Sequence, residues 1–219
     1  MAEYALRITN VTGKKRKFHL SDVNMACEPG FIYAITGENG AGKTTLMQYI
    51  LKENARYNGE ILLYGENIRK HHAQAMSMIG FISEDNVFFE DRTGKQNAEL
   101  LGLLYDDFDR ELFCSSMEEM QAPLGTTYRK MSRGEKMKFQ LSFAIAHHSK
   151  LFLLDEATAG MDPVFRREFF DMLRKLLTEE DRCVLMTSHN MTEIQKQTDY
   201  VAIMEQGKLS PFRESMEEN

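Results

Sequence analysis

Apolar residues fall in short blocks separated by polar turns, and their spacing changes along the chain. Tyr4–Thr9 alternates apolar and polar, the pattern of a strand with one buried face. Phe18–Ala26 predicts a second strand. Glu28-Pro29-Gly30 is a turn signal, and Phe31–Thr36 is a continuous apolar run, as in a strand covered on both sides. A glycine-rich turn follows, then a predicted helix over Lys43–Lys52. Asn58-Gly59 reads as a turn into the strand Glu60–Tyr64. Further strands are predicted at Ile79–Ser83, Leu151–Asp155, Cys183–Ser188 and Tyr200–Met204. Helices fit Gly134–His147, Pro163–Leu177 and Met191–Lys196. Between Asn86 and Tyr128 strand propensity is low and the chain reads mostly helical. On the Gly134–His147 helix, Met137, Leu141, Ile145 and His148 form one stripe suited to packing on a core. Buried strands alternating with helices indicate an α/β fold with a parallel core sheet.

Composition narrows the class. The chain has 219 residues, 42% hydrophobic and 27% charged, which suits a globular unit able to bury a core. No apolar run approaches the ~20 residues of a membrane span, and the N-terminus shows no secretory pattern. A cytosolic chain is expected, with no direct membrane span. The net charge of -6 argues against a nucleic-acid binder. The basic run Lys14-Lys15-Arg16-Lys17 reads as a solvated hairpin tip. Cys27, Cys114 and Cys183 are too scattered for a metal or redox motif and read as reduced packing residues. The pairs His71–His72 and His147–His148 read as surface or packing histidines.

Two segments carry chemistry. Gly37-Glu38-Asn39-Gly40-Ala41-Gly42-Lys43-Thr44 matches G-x-x-x-x-G-K-[ST] between an apolar strand and a helix. Glycines let backbone N–H groups close around phosphate oxygens, and the helix presents its positive end to the anion. Lys43 is placed to reach β- and γ-phosphates, Thr44 to hold Mg²⁺ and Thr45 to add an α-phosphate contact. Leu151–Leu154 then leads into Asp155-Glu156. Carboxylates at a strand's C-terminal edge are well placed beside a nucleotide. Asp155 is the candidate Mg²⁺ ligand, and Glu156 the group that orients or deprotonates water.

Met131-Ser132-Arg133-Gly134-Glu135 precedes the acidic strand. With the phosphate loop, it resembles the signature region of ABC transporter nucleotide-binding domains, whose pattern is Leu-Ser-Gly-Gly-Gln. Glu84 sits where that family has the glutamine of its Q-loop. Ala159-Gly160-Met161-Asp162 resembles the D-loop, and Thr187-Ser188-His189 the switch-histidine loop. The resemblance spans nearly the whole chain in the right order. It implies a P-loop NTPase of ABC ATPase type: one domain over 1–219, with a mixed core sheet, an N-terminal antiparallel β subdomain and a helical subdomain at about 86–132. It further implies that Ser132 and Gly134 grip ATP held by a second ATPase subunit, expected to be a copy of this chain. Asp162 becomes a dimer contact, His189 a catalytic group beside Glu156 and Lys43, and Glu84 a third Mg²⁺ ligand beside Thr44 and Asp155. Thr12 or Phe18 falls where the family stacks an aromatic on adenine, and of the two only Phe18 could stack.

The same residues have local readings. Ser132 and Glu135 form an S-x-x-E capping box, and Asp162-Pro163 is a helix start. Three departures stand out: Glu84 for Gln, Arg133 for Gly, which puts bulk and positive charge near the expected γ-phosphate, and Ala157 for the usual proline. The signature is most like ATPases of bacterial ABC-2-type exporters. The expected role is then an ATP-hydrolysing subunit that drives a separate transmembrane permease subunit, held peripherally on the inner face of the cell membrane. The competing expectations are a soluble ABC ATPase, as in iron–sulfur cluster assembly, and a degenerate ATP-binding regulatory subunit.

Overall fold

The computed structural model describes residues 4–15, 18–83, 88–179 and 181–215. In chain order the first half forms β1 (Leu6–Lys15), β2 (Phe18–Cys27), β3 (Ile32–Thr36), α1 (Lys43–Leu51), β4 (Asn58–Leu63), β5 (Glu66–Asn67), α2 (His72–Ser77) and β6 (Ile79–Ser83). The second half forms α3 (Gly94–Leu101), α4 (Arg110–Glu119), α5 (Arg133–Ala146), β7 (Leu151–Asp155), α6 (Pro163–Leu176), β8 (Cys183–Ser188), α7 (Met191–Gln195), β9 (Tyr200–Glu205), β10 (Lys208–Leu209) and β11 (Arg213–Glu214).

Two sheets divide the strands. One has the order β2-β1-β4-β5 with antiparallel pairing throughout. The other runs β10-β9-β3-β8-β7-β6, with parallel pairing from β9 to β6 and short antiparallel strands against β9. The fold is therefore α/β with a mixed core sheet and an N-terminal antiparallel layer. Every residue of β3 and β8 is buried, as is all of β7 up to Asp155. That is why these segments read as unbroken apolar runs rather than alternations.

Three apolar clusters hold the layers together. One joins the antiparallel sheet and α1 to one face of the core sheet, through residues such as Leu6, Leu46, Ile50 and Leu153. The second packs α5 and α6 on the other face, through Leu141, Phe169, Phe170 and Leu173. The third is aromatic and sits under α3 and α4, with Phe113, Tyr128, Phe139 and Phe143 at its centre. Burying each such ring stabilises the fold by about 1.5–3 kcal/mol. Because α5 contributes to both the second and third clusters, it ties the helical segment to the sheet.

Three local expectations change. The first strand reaches Lys15, beyond Thr9, because β-bulges interrupt its register between Ile8 and Gly13, where Asn10 has φ 51°. The extra residue flips the alternation and hides the continuation. Asn58 and Gly59 lie inside β4 rather than in a turn, and Gly59 (φ 91°) passes directly over the backbone of Thr9 and Asn10. Met137, Leu141 and Ile145 share the buried stripe, but His148 does not. The helix ends at Ala146 and His148 turns out in a left-handed conformation (φ 56°), leaving His147 buried instead. The basic run does approach a hairpin end, with Lys15 opposite Phe18, while Arg16 and Lys17 fall outside the described residues. Cys27 and Cys183 are buried free thiols, as packing residues should be.

Candidate active site

Three adjacent parallel strands, β3, β8 and β7, finish level with one another. Thr36 is in register with Ser188, and Thr187 with Asp155. The loops leaving them therefore emerge side by side. These loops carry the glycine-rich turn, the acidic pair and His189. Strand order and register alone assemble the candidate groups at the C-terminal edge of the sheet, where α/β folds bind ligands.

Lys43 opens α1 and is 5% exposed despite its charge. Its Nζ donates to the carbonyls of Gly37 (2.6 Å) and Glu38 (3.1 Å) and lies 3.2 Å from Glu156 Oε1. A buried ammonium requires this many partners. Gly42 caps the helix with φ 120°, and a Cβ there would sit 2.7 Å from Phe18 Cζ. The glycine is thus required both by backbone conformation and by the aromatic ring packed on it. Phe18 is accordingly beside the phosphate loop. Gly207 N–H donates to Ala41 O (2.9 Å), so the turn after β9 buttresses the loop from below.

Thr187 ties the acidic pair to β8. Its hydroxyl donates to Asp155 Oδ1 (2.6 Å) and accepts from the Glu156 N–H (3.1 Å). Thr44 Oγ1 lies 3.5 Å from the same Asp155 oxygen. Glu156 holds φ 52°, a left-handed conformation that strains a non-glycine residue. Its Oε2 accepts from His189 Nδ1 at 2.8 Å. A carboxylate can only accept, so Nδ1 carries a proton. Ala157, behind this turn, is fully buried.

Oxygen donors from Thr44 and Asp155 converge here, and hard oxygens are what Mg²⁺ prefers. Among the described residues no group of three or more His, Cys, Asp or Glu could hold a metal ion. Two protein oxygens with the rest from phosphate and water is the ordinary Mg²⁺ arrangement at a nucleotide. The residues fit. Glu84 lies outside the described residues.

The signature residues stand apart from this cluster. Ser132 Oγ accepts from Glu135 N–H (3.2 Å), and Glu135 Oε2 accepts from Ser132 N–H (2.7 Å), a complete capping box. Asp162 Oδ1 caps α6, accepting from Val164 (3.1 Å) and Phe165 (3.0 Å). Gly134 packs on the Phe165 ring, where a Cβ would approach to 3.2 Å. Arg133 folds against the loop 159–162, its Nη1 2.9 Å from the position of a Cβ on Gly160, with Nε and Nη2 buried. Two residues with clear roles in this geometry carried no sequence signal of them: Thr187, named only as part of a loop, and Gln140 on α5.

A family model described as ABC transporter matches residues 20–159. The ABC transporter ATP-binding protein YtrB of Bacillus subtilis is 31% identical over 191 residues, covering 87% of this chain and 65% of that protein. The bacitracin transport ATP-binding protein BcrA of Bacillus licheniformis is 29% identical over 206 residues, covering 92% of this chain and 66% of that one. The chain thus spans about two thirds of the length of these relatives. The solved structure of cbiO1 from Clostridium perfringens, described as part of the ABC transporter complex cbiONQ, superposes with a TM-score of 0.84. It is 22% identical and covers 97% of this chain and 89% of that one, a likeness of fold. With the phosphate loop, acidic strand end and histidine loop meeting at one sheet edge, the chain belongs to the ABC transporter family as an ATP-binding domain.

Proposed function

We propose that this chain hydrolyses ATP to ADP and phosphate as the motor subunit of a transporter, driving a separate transmembrane permease subunit in the export direction. The observation that carries it is the contact set of Glu156, which meets Lys43 on one carboxylate oxygen and His189 on the other. The loop from Gly37 to Thr45 cradles the phosphates, and the Lys43 ammonium turns from its present acceptors to the β- and γ-phosphates. Glu156 accepts a proton as water attacks the γ-phosphate. His189 keeps Glu156 oriented through Nδ1–H and, carrying a second proton on Nε2, donates to the γ-phosphate. Thr44 and Asp155 would hold Mg²⁺, which when bound neutralises phosphate charge. Phe18 stacks on adenine.

Ser132 and Gly134 begin a capped helix whose free N–H groups favour an anion. The phosphate that Ser132 and Gly134 meet is one bound by a second copy of the chain, and Asp162 contacts that copy. Two ATP molecules would then be enclosed between two subunits, with Asp162 at the contact. The whole chain acts as one ATPase unit, and the helical segment at about 86–132 receives the permease. Support for that contact comes from Phe89, Leu100, Leu103 and Leu104, exposed at 49%, 47%, 72% and 78%. Such apolar exposure marks protein contacts. Among the described residues no helix is long and apolar enough to cross a membrane, so the translocation path belongs to the permease. The chain then sits at the inner membrane face through that partner.

The test is Mg-ATP turnover of the purified chain against Glu156→Gln. The expected result is a fall of at least about 100-fold with ATP binding retained. Equal rates in both proteins would refute the assignment of Glu156.

A further inference from the structure

Strand β6 pairs with β7 and, among the described residues, with no other strand. Backbone groups at the buried end of an edge strand must still find partners. At Ser83, the last residue of β6, they find one side chain. Ser83 N–H donates to Gln140 Oε1 (2.9 Å), and Gln140 Nε2 donates to Ser83 O (3.0 Å). The remaining Nε2 hydrogen goes to Tyr128 Oη at 3.1 Å. Gln140 is 4% exposed and Tyr128 1%. A primary amide is the side-chain group that can accept from an N–H and donate to a C=O at one backbone residue while keeping a second donor. Gln140 in effect adds one more peptide unit to the sheet edge.

The position of this clamp matters. Ser83 is in register with Asp155 across the β6–β7 pair. Gln140 lies on α5, whose first turn carries the capped Ser132 and Gly134. Eight residues of helix separate Ser132 from Gln140, about 12 Å. Tyr128, the third partner, precedes the same turn and is itself tied to the chain that follows residue 87. Tyr128 N–H donates to Arg92 O (2.8 Å) and Arg129 N–H to Glu90 O (2.9 Å). Asn97 holds Phe89 through both backbone groups, at 2.8 and 3.0 Å. Hence the signature turn connects to the strand beside Asp155 through α5, which the two-point amide clamp at Gln140 pins to Ser83.

We infer that Gln140 is a positioning residue that sets the signature turn relative to the ATP-binding edge of its own sheet, and so governs ATP-driven pairing of two chains. The inference rests on the proposed action of Ser132 and Gly134 on ATP bound by a second copy. An apolar residue at 140 would leave the clamp to packing alone, and α5 could tilt without disturbing the phosphate loop.

The test uses the Glu156→Gln chain as parent, with ATP-driven dimerisation followed by light scattering and ATP binding by a fluorescent analogue. Gln140→Met keeps length and volume but makes no such bonds. It should bind the analogue within about twofold of the parent, while the ATP concentration for half-dimerisation rises about tenfold, one net hydrogen bond's worth. Leu63→Ala, in the antiparallel sheet, serves as a control of comparable lost stability and should not shift the midpoint. If Gln140→Met fails to fold, Gln140→Asn is read by the same criterion, since its shorter arm keeps the amide but not the reach. An unchanged midpoint in the folded variant, or an equal shift in the control, overturns the role of Gln140. A parent that stays monomeric at saturating ATP overturns the pairing itself, and the inference with it.

Discussion

Replacing Thr187 with valine removes one hydroxyl and almost no volume. Thr187 is fully buried, so no solvent replaces what the hydroxyl does. It makes two bonds, one to a carboxylate at 2.6 Å and one from a backbone N–H at 3.1 Å. A hydrogen bond to a charged group contributes about 1.5–3 kcal/mol, and an orphaned buried N–H costs about 1–3 kcal/mol. Asp155 and Glu156 sit at the sheet edge and recover part of this from water. We therefore expect a net loss of about 2–4 kcal/mol, or roughly 5–15 °C in melting temperature for a chain of this size. Function should suffer separately. Asp155 loses the bond that orients it, and the strained Glu156 turn loses its tether. Such supporting contacts typically change metal affinity or turnover by about 10–100-fold. Urea unfolding would give the stability change, and an Mg²⁺ titration of ATP turnover the functional one. Thr187→Ser keeps the hydroxyl and should retain the wild-type Mg²⁺ requirement, with about 1 kcal/mol lost to the missing methyl. A valine variant within about 0.5 kcal/mol of wild type, with an unchanged Mg²⁺ requirement, would refute the reasoning.

Two further expectations concern other parts of the fold. Burial lowers the pKa of His147 from its ordinary 6.5 to about 4, as the ring stacks on Tyr105 and Phe143 borders it. The unfolded chain therefore binds the extra proton first; stability from the neutral ring is complete above pH 6.5 and falls as pH drops toward 4. The loss reaches roughly 3 kcal/mol. Denaturant unfolding at a series of pH values should show that one-proton slope, absent in His147→Gln. For Gly42→Ala, left-handed strain and the Phe18 ring together should cost about 2–4 kcal/mol and abolish nucleotide binding. Thermal melts of the Gly42→Ala, Phe18→Ala double variant should recover only the steric part; full recovery would mean the backbone conformation carries no cost.

What could be read from sequence was whatever depends on local pattern. β6, β7 and β8 begin and end at the predicted residues because their largely apolar runs are too short for helices and are bounded by turns. The phosphate loop and Asp155-Glu156 were legible because short-range chemistry constrains their residue types. β1 was cut short because a bulge at Asn10 breaks the period that the pattern depends on. His148 leaves the stripe because the helix ends two residues before it, at Ala146. Arg133, Thr187 and Gln140 were opaque for a different reason. Their partners lie 27, 31–32 and 57 residues away, across strand pairings and helix docking that no local window contains. Thr187 is meaningful only once β7 is known to lie beside β8, and Gln140 only once α5 lies against the edge of β6.

Lys43 and Glu156 together suggest why turnover should depend on more than nucleotide entry. Lys43 is nearly buried and spends its three donor hydrogens on Gly37 O, Glu38 O and Glu156 Oε1. A phosphate chain offers it stronger acceptors, since phosphate carries more charge than a carbonyl and comes with its own cradle of N–H groups. Glu156 would then lose its cationic partner while remaining tied to His189 and, through its backbone, to Thr187. Under the proposed function, that exchange turns a paired carboxylate into an available base. It also places an additional negative charge beside the γ-phosphate. Two like charges brought together disfavour binding unless a further positive group arrives. Under the proposed function, the capped N-terminus of α5 from a second chain would be such a group, held relative to its own sheet edge by Gln140 as inferred above. On that reading, binding, pairing and hydrolysis would be linked through one carboxylate whose partners change in sequence.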